Sequence, residues 1–218
     1  MQRGLALVAA IGLVVVATTA CTTTASFNGV RGEGQLVTEQ RDVGSFDAID
    51  VGGGIHVRVR IGQPQSVELE GEQNILDILD TVVEDGTLRI DNRDNYSTSR
   101  GVTLTIVTPS LTSVSLQGGA DGRVEGLDTD ALAVDVGGGA VLEASGRAGS
   151  VDVTASGGGK ALLSGLTAQT VTLDASGGAQ VEVNASQRIE GDASGGAGVQ
   201  TSGDGTVQIR TSGGASLN

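Results

Sequence analysis

Val151-Asp152-Val153-Thr154-Ala155-Ser156-Gly157-Gly158-Gly159-Lys160-Ala161 is followed, twenty residues on, by Val171-Thr172-Leu173-Asp174-Ala175-Ser176-Gly177-Gly178-Ala179-Gln180-Val181. In both stretches apolar side chains alternate with residues that tolerate water, a glycine pair interrupts, and the apolar series then resumes. Side chains two apart in a strand share a face, so each half reads as a short, half-buried strand and the glycines as the bend between them. The glycine pair recurs at Gly118, Gly138, Gly157, Gly177, Gly195 and Gly213, with spacings of 20, 19, 20, 18 and 18 residues. A period of about 19 residues identifies a chain that stacks on itself rung by rung.

The register holds on both sides of the bend. Six and four residues before the counted glycine stand Leu132 and Val134, Val151 and Val153, Val171 and Leu173, and Val207 and Ile209. Four residues after it come Leu142, Ala161, Val181, Val199 and Leu217. One rung departs from the pattern, with Ile189 followed by Gly191. Glycine suits the bend because it reaches positive φ without a Cβ clash and lets a neighbouring backbone come close. A flexible Gly/Ser linker would carry no such apolar alternation.

Trp is absent, and Phe27, Phe46 and Tyr96 are the only aromatic residues. A rounded core leans on aromatics for buried area, whereas a narrow stack of Val, Leu, Ile and Ala is filled continuously by its neighbours. The expected fold is therefore all-β, a parallel β-helix with rungs of about 19 residues, regular from about residue 111 and preceded by a less regular β portion.

The N-terminus reads as a processing segment. Arg3, an apolar run from Leu5 to Ala17, and Thr18-Thr19-Ala20-Cys21 resemble a bacterial lipoprotein signal, in which the cysteine is lipidated and becomes the mature N-terminus. Thr18 departs from that pattern, where an aliphatic residue is usual, and an ordinary secretory signal is the rival reading. Cys21 is the only cysteine and has no disulfide partner, which favours lipidation. The expected order is a signal over residues 1–20, a Thr/Ser/Gly-rich spacer over 21–34, and one domain over 35–218 that is extracytoplasmic and membrane-tethered through Cys21. Removing residues 1–20 leaves 12 basic against 26 acidic residues, a charge of −14. Such a surface disfavours nucleic acid as a partner.

Ahead of the repeats, Ile55, Val57, Val59 and Ile61 alternate with His56, Arg58 and Arg60 and predict a strand, with Val67 and Leu69 beside Glu68 and Glu70 on a neighbouring return strand. Asn74 is placed to cap a short helix holding Ile75, Leu76, Ile78 and Leu79. Val82, Val83, an Asp85-Gly86 turn, Leu88 and Ile90 return to strands, and residues 91–101 are expected to form an exposed loop.

The order of these pieces resembles a known family. Phe46-Asp47-Ala48-Ile49-Asp50-Val51, then Gly54-Ile55-His56-Val57, Gln63-Pro64, Asn74-Ile75-Leu76, Asp85-Gly86-Thr87-Leu88-Arg89-Ile90 and the Gly-Gly-Ala repeats are similar to the head GIN domain family of auto-transporter adhesins, over about residues 35–218. The resemblance implies a right-handed parallel β-helix on a secreted or lipid-anchored bacterial envelope protein.

Three residues before each counted glycine stand Asp135, Thr154, Asp174, Asp192 and Arg210. Stacking would set Asp174 beside Asp192 about 4.8 Å apart. That like-charge pair could be relieved by Ca²⁺, by Arg210 one rung on, or by water. His56, Arg58 and Arg60 form a basic stripe suited to a carboxylate or sulfate, or simply a solvated face paired with Glu68 and Glu70. Catalysis of the Ser-His or Cys-His kind would have to run through His56, the only histidine, which lies on an outward strand face. The function expected is a non-catalytic binding or adhesion module for a glycan or surface protein at the bacterial envelope. The alternatives are a structural or stress-linked envelope protein, and third a polysaccharide-active enzyme. The final strand edge near Asn218 invites pairing, so a homo-oligomer that shields it is a further expectation.

Overall fold

The computed structural model describes residues 28–218; the signal segment and Cys21 lie outside the described residues. The chain runs β1 (Val30–Arg31), β2 (Leu36–Gln40), β3 (Ala48–Val51), β4 (Ile55–Ile61), β5 (Ser66–Glu72), α1 (Gln73–Leu76), β6 (Leu79–Glu84), β7 (Thr87–Asn92), β8 (Tyr96–Ser97) and β9 (Val102–Thr108). The repeats follow as β10 (Ser113–Leu116), β11 (Asp121–Val136), β12 (Val141–Ala155), β13 (Lys160–Ala175), β14 (Gln180–Ala193), β15 (Gly198–Ser202), β16 (Thr206–Thr211) and β17 (Ser216–Leu217). They wind into a β-solenoid of about five turns.

Two parallel stacks share its narrow core. One carries a column Leu88, Ile49, Val114, Val134, Val153, Leu173, Gly191 and Ile209 across successive strands. The other carries Leu104, Val57, Gly122, Leu142, Ala161, Val181, Val199 and Leu217. The apolar residues on either side of the glycines thus meet their counterparts in register, as the sequence period requires. Most are completely buried, and the alanines among them (Ala155, Ala161, Ala175, Ala193) keep the opposing walls close. Each buried Val or Leu contributes on the order of 1.5–3 kcal/mol, so the column substitutes for aromatic bulk.

The bends stack as tightly as the strands. The counted glycines have φ between +65° and +73°, and the amide of the next glycine donates to the carbonyl of the corresponding bend one coil earlier. Gly139 to Gly118, Gly158 to Gly138, Gly178 to Gly157, Gly196 to Gly177 and Gly214 to Gly195 all span 2.6 Å. A Cβ on Gly177 would stand 3.0 Å from the Gly157 oxygen, so both the φ value and the packing exclude a side chain. Gly191 has a related cause: with φ +148°, its Cβ would fall on the Leu173 carbonyl oxygen. The departure seen in sequence is a close backbone approach between coils.

The N-terminal portion departs from expectation in three places. β4 and β5 are not neighbours, because β9 inserts between them, parallel to β4 and antiparallel to β5. The turn after β4 therefore carries the chain past the position β9 later fills. The helix is one turn, ending at Leu76, and Glu72 rather than Asn74 occupies its N-cap position without a side-chain bond. Asn74 instead accepts from the Glu33 amide (3.0 Å) and donates to the Arg31 carbonyl (2.6 Å). Ordered chain also begins earlier than Gln35, since β1 pairs in parallel with β8 in the segment read as an exposed loop. The Asp85-Gly86 turn does join β6 to β7 as an antiparallel pair, with φ of +49° and +77° at its two residues.

Gly191→Ala should lower unfolding free energy by about 2–3 kcal/mol, since strained backbone and a steric clash combine. Gly52→Ala, where a Cβ meets nothing within 4 Å, should change it little. Urea unfolding of the two variants beside the parent checks this.

Candidate functional site

Outward residues of the second stack form the face on which β4 displays its basic stripe. His56, Arg58 and Arg60 are exposed there, between inward Ile55, Val57 and Val59. Their neighbours differ from expectation: Thr103, Thr105 and Val107 of β9 stand on one side, and Asp121, Arg123 and Glu125 of β11 on the other. Glu68 and Glu70 are two strands away, roughly 10 Å along the sheet, and neither forms an ion pair with these arginines among the described residues; Glu68 accepts from Gln40 instead. The His56 ring rests near Gly101, where a Cβ would meet it at 3.4 Å. Thr103 and Asp121 flank His56 in register, but neither hydrogen-bonds to it among the described residues.

Arg58 lies beside Arg123 in register, a like-charge contact. Arg123 turns away from it, bonding the Glu143 carboxylate and approaching Glu125 at 3.9 Å. Among the described residues Arg58 and Arg60 have no acidic partner and no hydrogen bond from their side chains. An open groove of about 250 Å³ runs between them, lined by Thr105, Val107, Arg123 and Glu125. It adjoins a second groove of about 330 Å³ that passes Glu143, Ser145, Leu162 and Glu182, so the face grades from basic to acidic along the solenoid.

Sequence reading missed Arg123 and Thr105 as members of this site. A signal for Arg123 was present: the Gly119 amide donates to Gly53 as later bends do to theirs, and Gly53 has φ +77°. Gly53 is thus another bend of the series, and five residues after the bend stand Arg58, Arg123, Glu143, Leu162, Glu182 and Gln200 as one column. Thr105 had no such signal, because β9 reaches its place by a non-repeating path.

On the other stack, Asp135, Thr154, Asp174, Asp192 and Arg210 are neighbours in register. Of the ways to relieve the Asp174–Asp192 contact, the structure contains the arginine. Arg210 grips Asp192 with two bonds, Nε to Oδ1 at 2.9 Å and an Nη to Oδ2 at 3.2 Å. Among the described residues no three acids, histidines or cysteines converge as a metal-binding group. Two carboxylates, one already held by arginine, supply few of the six to eight oxygens that Ca²⁺ takes.

The Arg210 bond holds the Asp192 carboxyl below its ordinary value. A depressed folded-state value stabilises the protein above the ordinary aspartate range, and the contribution disappears as pH falls through the depressed value. Arg210→Ala should return Asp192 upward toward the ordinary range. Side-chain carboxyl NMR titration would follow this; an unmoved Asp192 would contradict the pairing.

Among curated proteins none matches this sequence. Solved structures resemble it in fold. A putative adhesin from Bacteroides fragilis superposes with TM-score 0.70 at 20% identity, covering 87% of this chain and 99% of that one. A putative adhesin from Parabacteroides merdae gives 0.57 at 16% identity, covering 86% and 97%. A putative lipid binding protein from Parabacteroides distasonis gives 0.57 at 15% identity, covering 87% and 98%. The family model described as "Putative auto-transporter adhesin, head GIN domain" matches residues 45–205, and with most of the solenoid inside that match the chain belongs to this family.

Proposed function

We propose that the protein is a non-catalytic binding or adhesion module, extracytoplasmic and tethered to the bacterial envelope through a lipid on Cys21. The observation that carries the binding role is the basic-to-acidic outward face: a registered sheet with open grooves and arginines that no acid engages among the described residues. Family membership supports the same role, since its description is that of an adhesin head domain. Tethering is supported by the Ala20-Cys21 signature behind the apolar run. Among the described residues no helix is long and apolar enough to cross a membrane. A surface whose backbone is already fixed by strand pairing loses little conformational entropy on binding.

Full-length protein in mild detergent, presented to arrayed glycans and matrix proteins, should show saturable binding without turnover of any bound glycan. Silence across the array with self-association would favour the structural reading, and product release would favour the enzyme. Metabolic labelling with a fatty-acid probe should mark the parent chain and not Cys21→Ser. Equal labelling of both would contradict the anchor.

A further inference from the structure

Six arginines, Arg41, Arg89, Arg93, Arg123, Arg188 and Arg210, each sit on a carboxylate, as acids in twofold excess over bases would lead one to expect. Arg58 and Arg60 are the exception that occurs as a pair, two residues apart on one strand face and bordering one groove. We propose that this groove binds a sugar unit bearing a single carboxylate or sulfate, held by Arg58 and Arg60 against Thr105 and Val107. The proposal rests on the binding-module reading and names its ligand chemistry.

Four observations select that ligand. Guanidinium groups pair with planar oxyanions through two parallel hydrogen bonds, and Arg58 is unspent because Arg123 is occupied by Glu143 and Glu125. The groove of about 250 Å³ lies below the range of drug-sized sites and is the scale of one small ring with its charged group. Its wall combines the apolar Val107 with the hydroxyl of Thr105, a surface matched to the C–H face and hydroxyls of a sugar. Both edges of β4 are already paired, to β9 and β11, so a peptide cannot add here as a strand.

Net charge sets the limit on the ligand. At −13 overall, with Glu125 in the groove, the protein repels a long polyanion beyond the reach of the two arginines. A sparsely charged glycan brings its one anion within a Debye length of the pair, about 8 Å, without confronting the rest of the surface.

The test uses the full-length chain in detergent with sialyllactose, lactose, a monosulfated lactose, an acidic peptide and heparin as probes. Sialyllactose or sulfated lactose should bind at least about tenfold more tightly than lactose, as charge-assisted bonds require. Raising salt from about 0.1 to about 1 M should weaken that binding. The Arg58→Gln/Arg60→Gln variant should lose about tenfold in affinity, while Arg147→Gln, a solitary exposed arginine elsewhere, should lose less than about twofold. Thermal melting would establish that all variants remain folded. Acidic-sugar binding untouched by the double substitution would overturn the site and leave the binding-module reading standing. Equal affinity for lactose, or tighter binding of heparin or the acidic peptide, would overturn the ligand class. Absence of binding by the parent chain to these probes and to the wider array would overturn the proposal together with the reading beneath it.

Discussion

Backbone contact between successive glycine bends is the constraint on which this structure depends. Each counted glycine combines positive φ with a site where a Cβ would press on the bend of the coil before it. Removing the side chain lets the next amide reach the earlier carbonyl, at 2.9 Å from Gly119 to Gly53 and 2.6 Å at the later bends, so the hydrogen-bonded ladder of the strands continues around the corner. A coil held at its bend as well as along its strands has little freedom to slip. A slip of one residue would move the whole apolar set from the core to solvent.

Registration inward produces registration outward. Because Val134 meets Val153 and Val153 meets Leu173, the residues beside them are also aligned, and Asp135, Thr154, Asp174, Asp192 and Arg210 become a column. On the second stack the same rule sets Arg58 beside Arg123 and Arg123 beside Glu143. Surface electrostatics in such a fold are a nearest-neighbour problem along the axis. Where a rung supplies an acid next to an arginine, the pair closes, as at Arg210 and Asp192. Where it supplies a second arginine, one of the two goes without an acidic partner among the described residues, as at Arg58.

The legible part of the fold was the part that repeats. Val171 and Val181 have counterparts at a constant offset from each glycine bend, so their neighbours across the coils can be named from the sequence. The placing of Asp174 beside Asp192 and of Asp192 beside Arg210 followed from the same offset, whereas which of Ca²⁺, Arg210 or water meets the carboxylates did not. The N-terminal portion was less legible because its strand order is set by a chain path with no period. Nothing local in Ser66–Glu72 says that Val102–Thr108 will come between it and Ile55–Ile61. Asn74 has a capping residue's chemistry, yet its amide is spent on the Arg31 and Glu33 backbone, a long-range use that helix statistics do not contain. The basic stripe was visible as residues, but its freedom from Glu68 and Glu70 depended on that strand order.

Amide hydrogen exchange at the bends tests the account most directly. Gly139, Gly158, Gly178 and Gly196 lie in exposed turns, where amides ordinarily exchange with solvent at once. Interlocked bends predict that these four exchange as slowly as the amides of the adjoining strands. Rapid exchange at the glycines with protection confined to the strands would show that the bends are not coupled, and would contradict the account.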